Sequence, residues 1–289
     1  VVIKHSMKHC DIDYKKIATA QPGIITKIIE INEESQNCFR EIDALLRSDQ
    51  AIAAFILRVA NSPIYSRNQV IKTLPIAISL LGVSIIRSLV ILAFSRAVFA
   101  KSRNELVCKH VWHHSLLTAI ASHQICYKLG NHEAGEEAFV AGLLHDIGKV
   151  LLFTHVQNEY MEALHYALEQ HCPCADAEQK FLGINHRQVG EEAIKAWKLP
   201  EHFNRFVHND LDRLAVGHIQ DKVLLSLAAA NSIIKGRGFG ANTIDSSIQK
   251  EKLIQYGLSE ELSSQLLDEA FFEELLTNDI YQFCANVHN

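Results

Sequence analysis

The nine residues Ala141-Gly142-Leu143-Leu144-His145-Asp146-Ile147-Gly148-Lys149 set a His-Asp doublet among apolar neighbours, which places the doublet in or near a hydrophobic core. A buried ionisable side chain is costly unless it is hydrogen-bonded, paired with an opposite charge or bound to a metal ion. We therefore expect polar side chains from elsewhere in the chain to converge on His145 and Asp146. Gly148 predicts either a helix end or a close approach between two backbones.

Outward from this stretch, apolar residues recur at helical spacing along most of the chain, and no segment shows the two-residue alternation typical of a strand. Pro22-Gly23 opens the ordered part. The helix that follows Thr73 is predicted to end at Gly82, and a largely buried helix is predicted over residues 84–100. The later predicted helices cover residues 111–129, 136–144, 150–169, 175–182, 186–197, 201–208 and 221–235, with one or two acidic helices over 259–278.

This pattern predicts an all-α fold, arranged as a two-lobed helical bundle. We divide the chain into an N-terminal extension (residues 1–21), an N-terminal helical lobe (22–105), and a helical core with C-terminal helices (106–289). The two lobes are expected to meet between residues 100 and 109. With 289 residues, of which 48% are hydrophobic and 21% charged, the chain is long and apolar enough to bury such a core.

Composition excludes several classes of protein. The net charge of -5, with scattered Lys and Arg, predicts no general affinity for nucleic acid. Seven cysteines, an odd number spread thinly, indicate reduced thiols and not a disulfide framework. Arg87 and Arg96 interrupt the longest apolar run, and the N-terminus lacks the apolar segment of a signal peptide, so we expect no membrane span and a cytoplasmic protein.

Four histidines and one aspartate on different predicted helices could converge in the bundle core, where metal sites are often built. They are His114, His145, Asp146, His186 and His208. A mixed set of nitrogen and oxygen donors suits a divalent ion such as iron, manganese, cobalt or zinc.

Three other stretches each have a structural and a functional interpretation. The turn at residues 61–65 is either a partner site or a simple interhelical turn whose Asn61 and Ser62 bond local backbone. Cys172-Pro173-Cys174 is too closely spaced for the usual zinc pair, which favours a surface loop. The apolar residues between 266 and 276 pack either on the core or on a second subunit, so an oligomer stays open.

Several short motifs stand in a specific order along the chain. They are Ser48-Asp49, Val59-Ala60-Asn61-Ser62, Leu81-Gly82, Trp112-His113-His114-Ser115, Gly142-Leu143-Leu144-His145-Asp146-Ile147-Gly148, His186 to Gly190, Trp197-Lys198-Leu199-Pro200 and Ala229-Ala230-Asn231. In this order and spacing the chain resembles an HDOD protein, a member of the wider HD-domain superfamily, from about Pro22 to the C-terminal region. The resemblance implies an HD-domain-like core preceded by the N-terminal helical lobe.

The resemblance also implies roles for individual residues. In HD-superfamily hydrolases a first His, the His-Asp doublet and a later Asp bind a metal, and these positions fall on His114, His145, Asp146 and Asn231. The neutral amide of Asn231 is a weaker ligand than a carboxylate. Lys149 matches the Lys that can approach substrate phosphate in HD-GYP phosphodiesterases, but residues 186–192 lack the Gly-Tyr-Pro signature.

The function implied by this resemblance is a bacterial regulatory or output module of signal transduction. Such a module would act through contacts with a signalling protein or by sensing a nucleotide or another phosphorylated ligand. The alternative is a metal-dependent phosphohydrolase that acts on a nucleotide or other phosphoester, with Asp146 and Lys149 as catalytic residues. In that case a general acid or a second metal ion is also needed, and His186 and His208 are the candidates to supply the acid or bind the ion.

Overall fold

The structure is a computed structural model of the chain and describes residues 23–62, 65–66, 69–102, 104–197, 199–214, 219–241 and 246–285. Every regular element within these ranges is a helix, which confirms the all-α prediction. The predicted extension over residues 1–21 lies outside the described residues. The predicted boundaries between the lobes stay a prediction.

The described helices follow one another through short connections. The α-helices are Gly23–Glu30, Cys38–Arg47, Gln50–Ala60, Leu74–Ser102, Glu105–Val107, His114–Lys128, Gly135–Leu144, Ile147–His155, Gln157–Glu169, Cys174–Leu182, His186–Ala196, Asn204–His208, Lys222–Gly236, Ser246–Tyr256, Glu260–Leu267, Glu269–Thr277 and Asp279–Ala285. A π-helical segment, Cys108–His113, leads into the His114–Lys128 helix, and a 3-10 turn, Glu201–Phe203, precedes Asn204–His208.

The first three helices pack against the long helix Leu74–Ser102. Gly82 breaks this helix with φ 76° and ψ 167°, at the residue where the sequence predicts a helix end. Beyond the break, the buried Arg87 donates hydrogen bonds to the carbonyl oxygens of Ile28 and Ile31 and pairs with Glu33. Arg87 therefore fastens the end of the first helix to the long helix.

The helix that begins at His114 is the centre of the fold. It packs against Gly135–Leu144 on one side and against Lys222–Gly236 on another. Gly142 permits the first contact, because a Cβ there would lie 2.3 Å from the Ala119 Cα. One continuous hydrophobic cluster runs from these helices to those around Leu74–Ser102.

Two local predictions differ from the structure. The single helix predicted over residues 150–169 is two helices, because Val156 adopts φ −134° and ψ 52° between Ile147–His155 and Gln157–Glu169. The helix that the sequence predicts over residues 111–129 begins later, at His114, because residue 111 falls inside the π-helical segment.

At two of these three stretches the structure shows contacts within the chain, and it does not test the partner site or the second subunit. Asn61 bonds the backbone of Leu57 and Ile71, and Ser62 bonds the carbonyl of Val59, as expected of an interhelical turn. Leu266 and Leu275 are fully buried, so the C-terminal helices pack on the core of their own chain. The prediction about an oligomer stays untested.

Within the described ranges, Gly135–His155 is the one stretch long and apolar enough to cross a membrane. In this fold 89% of its apolar window is buried against other parts of the chain. Because a core helix of a folded domain passes the same test, its composition is explained by its central position.

Candidate functional site

Three side chains from two neighbouring regions meet at the centre of the core. His114 opens its helix, while His145 and Asp146 form the turn between Gly135–Leu144 and Ile147–His155. The His145 Nε2 lies 3.3 Å from the His114 Nε2 and 3.3 Å from the Asp146 Oδ2. The His114 Nε2 is 3.5 Å from the same oxygen. The structure thus brings together the first three residues of the predicted metal site.

Lys149, in the helix Ile147–His155, also contacts this group of side chains. Its Nζ donates a hydrogen bond of 2.6 Å to the Asp146 Oδ2, and the two residues are only 2% and 4% exposed. Burial alone would raise the pKa of the Asp146 carboxyl, but His145 and Lys149 hold that pKa well below its usual range. Burial alone would lower the pKa of Lys149, but the Asp146 charge raises it. The pair is therefore an ammonium ion on a carboxylate.

The orientation of the two imidazoles follows from their other contacts. The His145 Nδ1 donates to the carbonyl oxygen of Gly142 at 2.8 Å, since a carbonyl only accepts. This bond turns the His145 Nε2 toward His114 and Asp146. His114 is fully buried, which lowers its pKa well below the ordinary value and keeps it neutral. Its Nδ1 has no hydrogen-bond partner within the described part of the chain.

His186 approaches the other oxygen of Asp146, with its Nε2 3.5 Å from the Asp146 Oδ1. The buried carboxylate of Glu178 accepts hydrogen bonds from the His186 backbone N–H at 2.7 Å and from its Nδ1 at 2.6 Å. Glu178 therefore holds the His186 ring with its Nε2 toward Asp146. The sequence analysis did not single out Glu178, although it shares the buried face of its helix with Cys174 and Leu182.

Gly148 lets His186 come this close. A Cβ on Gly148 would lie 1.9 Å from the carbonyl oxygen of His186. Any side chain at this position would push the Ile147–His155 helix away from the start of the His186–Ala196 helix. Of the two interpretations of Gly148, close approach of two backbones is the correct one.

The helix Lys222–Gly236 adds two more side chains. Asn231 is buried and lines the same cavity, as the predicted fourth position of the site. Lys235 lies one turn further along and pairs with Asp212. Burial raises the pKa of Asp212, but the Lys235 charge outweighs it and lowers the pKa below its usual range. Neither Lys235 nor Asp212 was predicted.

These residues surround a small cavity of balanced charge. It contains about 20 Å³ of space, enough for roughly one water molecule and far below the ~300 Å³ of a small-molecule pocket. Three carboxylates and three basic side chains line it: Asp146, Asp210, Asp212, Lys149, Arg187 and Lys235.

The structure does not bring His208 to this cavity. Its side chain is 71% exposed and its Nδ1 lies 2.6 Å from the Glu191 Oε1 at the surface. In the short helix Asn204–His208 the buried residues are Phe206 and Val207, and the next residue is turned toward solvent.

His114, His145 and Asp146 are the one group of three potential metal ligands found in the described residues. The donor types and their spacing suit a divalent ion. The charge of the site does not suit a divalent ion. Lys149 already neutralises the Asp146 oxygen that faces both imidazoles, and Asn231 adds no negative charge. The unpartnered Nδ1 of His114 also lacks the acceptor that usually orients a ligating histidine. The residues present therefore do not fit a divalent metal ion.

Comparisons with known proteins identify the family and the fold. A family model described as HDOD domain matches residues 19–211. The chain also matches an uncharacterized protein of Treponema pallidum at 21% identity over 194 residues, which are 65% of this chain and 37% of that protein. The chain thus spans about a third of the length of this curated relative.

Solved structures share the fold. An HDOD domain protein of unknown function from Geobacter sulfurreducens aligns with a TM-score of 0.65 at 22% identity, over 95% of this chain and 98% of that one. A provisionally assigned signal transduction protein from Marinobacter aquaeolei has a TM-score of 0.60 at 19% identity, over 93% and 59%. A provisionally assigned metal-dependent phosphohydrolase from Shewanella amazonensis has a TM-score of 0.61 at 20% identity, over 93% and 92%.

Proposed function

This chain belongs to the HDOD family, and from that premise we propose that it is a regulatory module of signal transduction that acts through contacts with a partner protein. In this proposal the buried histidine–aspartate site organises the core and does not hydrolyse a phosphoester. The observation that carries the proposal is the bond between the Lys149 Nζ and the Asp146 Oδ2 at 2.6 Å. It places a cation of the chain itself on the carboxylate at the centre of the site.

The surroundings of Asp146 support the same proposal. A hydrolase of this type needs a metal ion to activate water and a group to protonate the leaving oxygen. Here both oxygens of Asp146 already face protein groups, and the cavity is about as large as one water molecule. Two of the three basic side chains that line the cavity, Lys149 and Lys235, are already held in buried ion pairs and not free to bind a phosphate.

A signalling role is also supported by the fold itself. Proteins of this fold include the provisionally assigned signal transduction protein from Marinobacter aquaeolei. The site joins four stretches of chain through buried polar contacts, which favours a rigid module that presents a fixed surface to its partner. Sensing of a nucleotide or another phosphorylated ligand is a variant of this role, and it requires the cavity to open.

The second candidate is a metal-dependent phosphohydrolase. It is favoured by the group His114, His145 and Asp146, whose ligand atoms all lie within 4.8 Å of one another. The provisionally assigned phosphohydrolase from Shewanella amazonensis has the same fold. The two candidates differ in one measurable property, which is turnover that depends on the site.

Turnover is tested on a panel of nucleotides, cyclic dinucleotides and aryl phosphoesters with manganese, iron, cobalt and zinc. We expect the wild-type chain to hydrolyse each compound no faster than the variant His145→Ala. A rate that is well above background in the wild type and is abolished in folded His145→Ala would contradict the proposal and establish the hydrolase.

The partner contact is tested with the tagged chain as bait in extract of the source organism. We expect one or a few proteins that are recovered with the bait, absent with a mock bait, and bound again when purified separately. A set of recovered proteins identical to that of the mock bait would contradict a role in protein contact.

A further inference from the structure

We propose that Lys149 is the built-in cation of this site, so that the core around Asp146 is complete without a metal ion. This inference deepens the proposed function and rests on it, because a site that does not hydrolyse a phosphoester needs no metal ion to activate water. Four features of the residues around Asp146 support the built-in cation.

The first set of contacts is at the Asp146 Oδ2. The Lys149 Nζ is 2.6 Å from this atom, while the Nε2 atoms of His145 and His114 are 3.3 and 3.5 Å away. The ammonium group is thus the closest partner of the oxygen on which both imidazoles converge. Lys149 and Asp146 are three residues apart, so the helix that begins at Ile147 fixes the distance between them.

The second is the placement of protons on the imidazoles. The His145 Nδ1 carries a proton for the Gly142 carbonyl, which directs its Nε2 toward His114 and Asp146. The His114 Nε2 lies 3.3 Å from the His145 Nε2 and 3.5 Å from the Asp146 Oδ2, so a proton on this nitrogen faces the carboxylate. In this arrangement the proton of His114 faces an acceptor, and its buried Nδ1 carries only an electron pair.

A metal ion on the His114 Nε2 would reverse that placement. The proton of His114 would move to Nδ1, which is fully buried and has no acceptor in the described part of the chain. A buried donor without an acceptor is costly. Gly240 packs against this nitrogen, and a Cβ added to it would lie 3.1 Å from the Nδ1.

The third is the charge around the cavity. Three carboxylates and three basic side chains already balance, counting Lys235 on Asp212. A divalent ion would add two positive charges to a buried site that has no spare carboxylate among its lining residues.

The fourth feature is the neutral side chain of Asn231. It lines the cavity but supplies no negative charge to balance a divalent ion.

Metal content distinguishes a built-in cation from a metal ligand set. The wild-type chain, Lys149→Met and Lys195→Met are produced in medium with added zinc and manganese, and metal is counted by elemental analysis. Lys195 is the matched control, because it pairs with Glu192 three residues earlier, as Lys149 does with Asp146, but at the surface. Thermal unfolding is recorded for each with and without EDTA.

We expect the wild type and Lys195→Met to hold far less than one ion per chain and to keep their melting temperature in EDTA. Lys149→Met removes the ammonium and leaves Asp146 free, so it should bind zinc or manganese at least roughly tenfold more tightly than the wild type, a change typical of residues that tune a metal site. These outcomes support the inference.

Two outcomes would overturn it. One is a wild-type chain that carries about one ion per chain and melts at a lower temperature after chelation, which decides the matter even if Lys149→Met does not fold. The other is a folded Lys149→Met that gains no affinity for metal. Neither outcome concerns turnover or partner recovery, so the proposed function is judged separately by its own experiments.

Discussion

Glu178 and His186 form a two-point contact in the core: one carboxylate oxygen accepts hydrogen bonds from both the backbone N–H and the Nδ1–H of His186, at 2.7 and 2.6 Å. This contact joins the Cys174–Leu182 helix to the start of the next helix and sets the direction of the imidazole. Glu178 binds the side of the His186 ring that faces away from Asp146, so that the His186 Nε2 points toward Asp146.

Removal of the Glu178 carboxylate should destabilise the fold. We predict that Glu178→Ala lowers the free energy of unfolding by about 2–4 kcal/mol, because it removes two hydrogen bonds to a charged acceptor and leaves a buried N–H without a partner. Urea unfolding followed by circular dichroism measures the change. The control is Glu169→Ala at an exposed position, for which a change within about 0.5 kcal/mol is expected. Equal effects of the two variants would refute the account of Glu178.

Gly148→Ala tests the close approach of two helices. Its Cβ would lie 1.9 Å from the His186 carbonyl oxygen, so the helices must separate, and we expect a loss of about 3 kcal/mol or more in the free energy of unfolding. The matched control is Gly135→Ala, whose Cβ would meet only the edge of the His123 ring at 3.2 Å. Chemical denaturation should rank the two clearly, and a Gly148→Ala protein as stable as the control would show that this contact is absent in solution.

Stability should fall in mild acid because several histidines are buried in the neutral form. Burial lowers the pKa of His123 from 6.5 to about 4. Between these values the unfolded chain binds more protons than the folded chain, so the free energy of unfolding decreases as the pH falls below about 6.5 and the loss levels off below about 4. One proton contributes at most about 1.4 kcal/mol per pH unit.

The variant His123→Gln isolates this contribution. We expect a shallower loss of stability between pH 7.5 and 5 than in the wild type, measured by urea unfolding at each pH. Part of the loss remains, because burial also lowers the pKa of His113 and His114. The exposed His165→Gln should follow the wild type. An unchanged pH dependence in His123→Gln would contradict the assignment.

The C-terminal helices are predicted to be integral to the core, although the family match ends at residue 211. The Trp112 indole N–H, two residues before His114, donates to the carbonyl oxygen of Cys284 at 3.2 Å. Trp112→Phe should lower the free energy of unfolding by about 1–3 kcal/mol and speed amide exchange in the Asp279–Ala285 helix.

The matched control for this prediction is Trp197→Phe. Trp197 is equally buried, but its indole nitrogen has no hydrogen-bond partner among the described residues. Both variants lose ring volume, whereas only Trp112→Phe removes a bond to the C-terminal helices. Faster exchange in Asp279–Ala285 for both variants alike would show that lost volume, and not this bond, is responsible.

Much of this fold follows from local sequence patterns. Helical periodicity predicts the all-α class, and Gly82 marks a break because it can adopt the positive φ observed there. The apolar flanks of His145 and Asp146 predict their burial. The break at Val156 has no Gly or Pro to signal it, since it is set by how the two helices pack.

The rest of the site depends on which way individual side chains point. The sequence analysis includes His208 as one of four histidines on different predicted helices. One residue of helix rotates a side chain by about 100°, which separates the buried Val207 from the exposed His208. Glu178 is one of many helical acids, and its partner His186 lies beyond a turn. To predict the Lys149–Asp146 pair from sequence, one must know that the helix begins at Ile147.

The tautomer of His114 tests the central claim most directly. In a nitrogen-15 correlation spectrum of the imidazoles, the resonance of His114 is assigned by its absence in His114→Gln. If Lys149 is the cation that pairs with Asp146 in place of a metal ion, His114 is neutral, with its proton on Nε2 and none on Nδ1. A His114 ring with its proton on Nδ1 and a metal-shifted Nε2 would contradict it.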